Sequence, residues 1–115
     1  MKNIKQNSRR TIKETSIPAS STFLDVSNSN LDSMRLIRRL NKLTTIVASN
    51  TLINDLRGVP FHKQSTSITL NDSPIASNEF YRLMLLISIG TNIKMIDGKP
   101  VSKSEISQAE KLILN

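Results

Sequence analysis

The sequence predicts an α+β domain, mainly α: a long amphipathic basic helix packed on two short turn–helix (β-hairpin–helix) units, with an extended N-terminal arm. Three observations carry this expectation. A pattern recurs within the last 50 residues, apolar positions over 31–57 follow the spacing of one helix face, and residues 1–30 show no apolar period. The domain division that follows is a flexible basic arm over 1–30 and one compact domain over 31–115, since 115 residues leave room for a single core.

The arm holds few large apolar side chains and a Ser/Thr/Asn-rich run from Ser16 to Asn30, broken by Pro18. Such a segment cannot bury enough surface to offset the entropy of ordering it. Its cations are Lys2, Lys5, Arg9, Arg10 and Lys13.

From Leu31 a helix is expected, capped by Ser29 or Asn30 and carrying Asp32 in its first turn, where the helix dipole favours an anion. Leu36, Leu40, Leu43 and Val47 form its inner face, widened by Ile37, and Arg35, Arg38, Arg39 and Lys42 fall together on the opposite one. Thr44, Thr45 and Ser49-Asn50-Thr51 weaken it, so a restart over Leu52–Arg57 ends at Gly58 and Pro60. Helix, break, helix invites a helix-turn-helix reading. Against it, the cations sit on the first helix and the second, which would enter a groove, carries only Arg57. Gly58 to Ser65 reads as a connector, with His62 a loop histidine of no catalytic or ligand role.

The two turn–helix units are expected over 66–90 and 93–115. Leu70-Asn71-Asp72, Pro74-Ile75, Glu79-Phe80 stands 26 residues before Ile96-Asp97-Gly98, Pro100-Val101, Glu105-Ile106. Each would be a strand end, a tight turn and a helix; duplication and convergent turn-and-cap chemistry both produce such a match. Phe80, Leu83, Leu86 and Ile87 then pair with Ile106, Ala109, Leu112 and Ile113 as inward helix faces. Tyr81 to Ile89 is apolar nearly all round, so this helix should be the centre of the core; Ser102 with Glu105 forms a capping box for the last one.

Composition bounds the chemistry. With no cysteine and one histidine, disulfides, thiolate sites and histidine clusters are out, and no metal or cofactor is expected. The nine carboxylates show no acid–base or metal spacing, and no phosphate-loop, dinucleotide or nucleophile-elbow motif occurs. An enzyme and a small-molecule substrate are therefore not expected. No secretory signal or membrane span is read, which places the protein inside the cell or within a virion or ribonucleoprotein particle.

The net charge of +7 divides unevenly: residues 1–30 hold five cations and two anions (+3), residues 31–63 six and two (+4), residues 64–115 five and five (0). A basic front half joined to a neutral back half suggests a negatively charged partner. The candidate polyanion-binding residues are Arg35, Arg38, Arg39 and Lys42 with Lys2, Lys5, Arg9, Arg10 and Lys13. The opposing view is that these cations merely solvate an outer face. The function expected is a small non-enzymatic subunit of a larger macromolecular assembly, meeting a DNA or RNA phosphate backbone or neighbouring subunits. The alternatives are a free-standing DNA-binding regulator and an adaptor or inhibitor of an acidic protein.

Overall fold

The computed structural model describes residues 9–114. Four short strands, β1 (Phe23–Asp25), β2 (Thr45–Val47), β3 (Ser67–Thr69) and β4 (Met95–Ile96), lie parallel in chain order, and β5 (Lys99–Pro100) closes the sheet antiparallel to β4. The register reveals the governing period: Leu24 pairs with Ile46 and Ile46 with Ile68, steps of 22 residues. Each step is one coil of a solenoid, with a strand, a turn at its exit, a corner on the far side and a return. The corners are 3₁₀ turns at Glu14–Ser16, Arg35–Arg39 and Pro74–Ser77.

Side chains explain the coil. Leu24, Ile46, Ile68 and Ile96 stack through the interior, as do Leu31, Ile53 and Ile75. At the strand exits Asn28 (φ 56), Asn50 (φ 54), Asp72 (φ 65) and Asp97 (φ 53) take the left-handed conformation that Asn and Asp tolerate best. Beside them Ser29, Thr51 and Ser73 are buried hydroxyls. Ser29 Oγ donates to Val26 O (2.6 Å), Thr51 Oγ1 and Ser73 Oγ share a hydrogen bond (2.8 Å), and Ser73 Oγ also meets Ala48 O (3.1 Å) and receives Thr51 N (3.0 Å). Every amide that the tight turn leaves without a strand partner finds a neighbour here, a condition burial imposes.

The long helix over 31–57 does not exist. Its residues instead leave the first coil, round the 3₁₀ corner Arg35–Arg39, run along β2 and complete the second coil. A coil turns its corners around one interior, so apolar residues spaced by three and four all point inward without sharing a helix. Helix (30%) still exceeds strand (14%), so the overturned parts are the long helix and its packing on two turn–helix units. The helix-turn-helix reading falls with it. The extended arm is corrected as well: Leu24 and Val26 are in the core, Ile12 and Ile17 pack against it, and β1 begins the sheet.

Two α-helices end the chain, α1 (Tyr81–Ser88) and α2 (Lys103–Leu114). The coil containing α1 is longer, pairing Ser67 with Met95 across 28 residues, six more than the basic step. Leu85, Leu86 and Ile89 are fully buried. The proposed equivalence of the last two units fails: Pro74 opens a 3₁₀ turn whereas Pro100 lies in an edge strand, and Phe80 (58% exposed), Leu112 and Ile113 are exposed rather than inward.

One ion pair locks α2 to the sheet. Arg82 donates through Nε to Glu105 Oε2 (2.7 Å) and through NH2 to Oε1 (3.1 Å), and also reaches Ile96 O (3.2 Å) and Pro100 O (3.0 Å). Ser102 and Glu105 exchange the two hydrogen bonds of a capping box (2.9 and 3.1 Å). Arg82 above all, and then the capping amide, draw the Glu105 carboxyl down from its ordinary 4.5 to about 2, while Glu105 raises Arg82. A depressed carboxylate stabilises the fold fully above 4.5 and loses that contribution as pH falls toward about 2. Because the pair is partly solvated, Glu105→Gln should cost roughly 1–2 kcal/mol at neutral pH, less than the full shift implies. Urea titrations between pH 5 and about 2 should show a shallower loss of stability in the variant; parallel curves would refute the assignment.

Candidate binding face

The period of two along each strand sends Leu24, Ile46, Ile68 and Ile96 inward and their neighbours outward. The outward row at the strand starts is Phe23, Thr45, Ser67 and Met95, and the next row is Asp25, Val47 and Thr69. Phe23 (58%) and Asp25 are exposed, and the other five are half-buried by their flanking strands while still reached by solvent. Parallel sheets are ordinarily covered on both faces. One wet face is a property of solenoids, which use it as an extended binding surface.

The face is built from hydroxyls (Thr45, Ser67, Thr69) and apolar groups (Phe23, Val47, Met95), with Asp25 its one charge along these rows. Its edges are closed to further strands. Arg10 lies along β1, donating from Nε to Ser27 O (2.9 Å) and from NH2 to Asp25 O (2.9 Å), and its own backbone bridges Asn28 and Asn30. At the other end β5 presents Lys99 and Pro100, a cation and a residue without an amide donor, both of which discourage edge pairing. A partner therefore meets side chains, not backbone edges.

The residues singled out as polyanion contacts disperse. Lys2 and Lys5 lie outside the described residues. Arg10 is spent on β1, Arg9 is exposed and donates to Asn50 Oδ1 (3.2 Å), and Lys13 is exposed beside the first 3₁₀ turn. Arg39 holds the preceding coil through Ile17 O (3.0 Å) and Glu14 O. Arg35 and Arg38 line a concavity with Glu14 and Asp32, and Arg35 and Arg57 line a second with Asp32 and Asp55. Arg57 is itself paired with Asp55 (2.9 Å), and the Arg35 stem runs across Gly58. Three guanidinium groups thus share their surroundings with three carboxylates. Lys42, exposed, sits apart on the loop entering β2.

His62 is buried, not a plain loop residue. Nε2 donates to Leu40 O (3.0 Å), leaving Nδ1 to accept from Ser65 Oγ (2.7 Å). His62 and Ser65 stand 22 residues after Leu40 and Leu43, so a hydrogen-bonded pair fills the space two leucines occupy one coil earlier. At the exit of β4, Asp97 accepts from Leu70 N (2.7 Å) and from Tyr81 OH (3.0 Å to each oxygen). Burial, and then the Asp97 charge, push the Tyr81 phenol far above its usual range. These are structural roles. Among the described residues no group of three or more His, Cys, Asp or Glu could hold a metal, and no helix is long and apolar enough to cross a membrane.

The outward rows went unseen in the sequence because Thr45, Val47, Ser67 and Thr69 carry no chemistry singly. Aligning the chain on a step of 22 would have found them: Thr22, Thr44 and Thr66 are identical, and Ser29, Thr51 and Ser73 are all small hydroxyls.

No family model matches the chain, and no curated protein does. Among solved structures, a chain of the crystal structure of the Drosophila melanogaster SNF/U2A′ complex is similar, with a TM-score of 0.54 and 11% identity, over 93% of this chain and 76% of that one. At this identity the likeness concerns the fold alone. The coil itself resembles the leucine-rich-repeat type of solenoid, whose pattern is L-x-x-L-x-L-x-x-N/C-x-L with one strand and a helix or 3₁₀ turn per repeat. Leu43, Ile46, Ala48, Thr51 and Ile53 fall on that pattern, as do Ser65, Ile68, Leu70, Ser73 and Ile75, with a hydroxyl at the Asn/Cys position.

Proposed function

We propose that this chain is a non-enzymatic binding module, a small subunit of a larger assembly, and that the open face of the sheet receives a protein partner. The observation that carries this reading is the wet face of a parallel sheet, lined by small hydroxyl and apolar side chains between edges that refuse strand addition. Mixed polar and apolar groups at half burial suit a protein surface, and their near lack of charge does not suit a phosphate backbone along the strands. The similar fold of a chain drawn from a two-named complex, SNF/U2A′, is compatible with life in an assembly.

A photo-crosslinking amino acid placed at Val47 or Thr69 tests the face directly. In extract from the native source, treated with nuclease, both positions should yield the same discrete protein adduct, and a probe at Arg38 on the far side should not. Equal adducts from all three positions, or none from the face, would reject the reading.

A further inference from the structure

The edge of the solenoid where chains enter the strands differs in charge from every other part of the surface. The loops forming it are residues 20–22, 40–44, 61–66 and 90–94. They contain Lys42, Lys63 and Lys94 and no carboxylate, whereas Asp25, Asp72 and Asp97 all lie toward the strand exits. The three lysines are exposed, one on each of three successive coils, and among the described residues none takes part in an ion pair. The start of α2 approaches this edge, since Val101 N donates to Lys94 O (2.9 Å), but its Glu105 is bound to Arg82.

Coils in hydrogen-bonded register are spaced about 5 Å apart, so the ammonium groups form a short row about 10 Å from first to last at their attachment points. The backbone between them is held. Thr66 N donates to Thr44 O (2.8 Å), Lys94 N to Thr66 O (2.7 Å), His62 N to Ile89 O (2.7 Å) and Asn92 Nδ2 to Lys63 O (2.9 Å). Phe61 stands beside Lys63, 59% exposed, with its ring tip over Gly90 of the next coil. Its buried neighbour His62 is fixed by both ring nitrogens, so Phe61 and Lys63 are presented outward from an anchored loop.

We propose that this edge binds a single-stranded nucleic acid, with its phosphates along Lys42, Lys63 and Lys94 and one base stacked on Phe61. A line of cations with an aromatic platform is how sequence-tolerant single-strand sites are made. An acidic peptide would use the cations but leaves the exposed ring unexplained. The site is distinct from the sheet face and does not depend on the protein partner proposed for it.

Fluorescence anisotropy with labelled 12-mers of uridine and of thymidine, on the full chain, tests it. Binding of either strand supports the site, and comparing them reports whether ribose or deoxyribose is preferred. The logarithm of affinity should fall with that of salt at a slope of about −2, three contacts at about 0.7 each. Lys42→Gln, Lys63→Gln and Lys94→Gln together should abolish binding with the circular dichroism unchanged, and Lys63→Glu alone should weaken it even if the triple variant folds poorly. Phe61→Ala should lose about tenfold. Arg35→Gln with Arg38→Gln should bind as the parent does. No binding at 50 mM salt, parental binding by the lysine variants, or displacement by polyglutamate of equal charge as effective as by unlabelled strand would each overturn the proposal.

Discussion

Asp97→Ala is expected to lower the unfolding free energy by about 3–5 kcal/mol, among the largest effects any single substitution here can have. Three losses combine. Leu70 N, bonded to Oδ1 at 2.7 Å, is left without its partner, at a cost of about 1–3 kcal/mol. The Tyr81 hydroxyl, within 3.0 Å of both carboxylate oxygens, loses its acceptor for about 1 kcal/mol more. Alanine must also adopt φ 53, which favours Asn and Asp, at about 1 kcal/mol. Asp97→Asn retains the backbone preference and one acceptor and should cost only about 1 kcal/mol, as should Tyr81→Phe. Urea denaturation of the three variants checks the ordering. Should the alanine variant fall within about 1 kcal/mol of the parent, the junction between the third coil and the C-terminal cap is held by something other than this carboxylate.

Ile68→Ala should cost about 3–4 kcal/mol, the range for removing a fully buried aliphatic side chain whose surroundings cannot collapse. Ile68 lies between Ile46 and Ile96 in the register, and each of those is itself fully buried. A coil has no core of its own; it buries its apolar residues only against the coils on either side. The damage should therefore spread. Amide hydrogen exchange at Thr45–Val47 should accelerate along with that at Ser67–Thr69, even though β2 is untouched. Acceleration confined to β3 would mean that the coils are stabilised independently.

The helical ends were legible in the sequence and the solenoid was not. Tyr81 to Ile89 announces a buried helix by being apolar nearly all round, and Ser102 with Glu105 announces the start of α2 because a capping box has one local meaning. The coil between residues 31 and 57 deceives because its interior is reached from several sides. Leu36, Leu40 and Leu43 are all buried, at helix-like intervals, although Leu36 lies on a 3₁₀ corner and Leu43 on a strand entrance. The true period was carried by Thr22, Thr44 and Thr66 and by Ser29, Thr51 and Ser73, small residues whose value comes from bonding the equivalent residue one coil away. The match at an offset of 26 drew notice instead because proline and glutamate are conspicuous, yet Pro74 and Pro100 serve different geometries.

The charge split was real in sequence but misread in space. Cations gathered before residue 64 do not form one stripe: Arg10 and Arg39 fasten the first coil, and Arg35, Arg38 and Arg57 stand among Glu14, Asp32 and Asp55. Folding in steps of 22 brings together instead lysines that lie 21 and 31 residues apart, at 42, 63 and 94. Spacing along a chain predicts proximity only after the path of the chain is known.

The threonines that link the coils, with Thr44 N on Thr22 O at 2.9 Å and Thr66 N on Thr44 O at 2.8 Å, present interchangeable plugs and sockets. The length of such a molecule is accordingly quantised: a whole turn of the spiral can be gained or lost between the two ends, lengthening or shortening its reach, whereas a gain or loss of a few residues would throw every later turn out of phase.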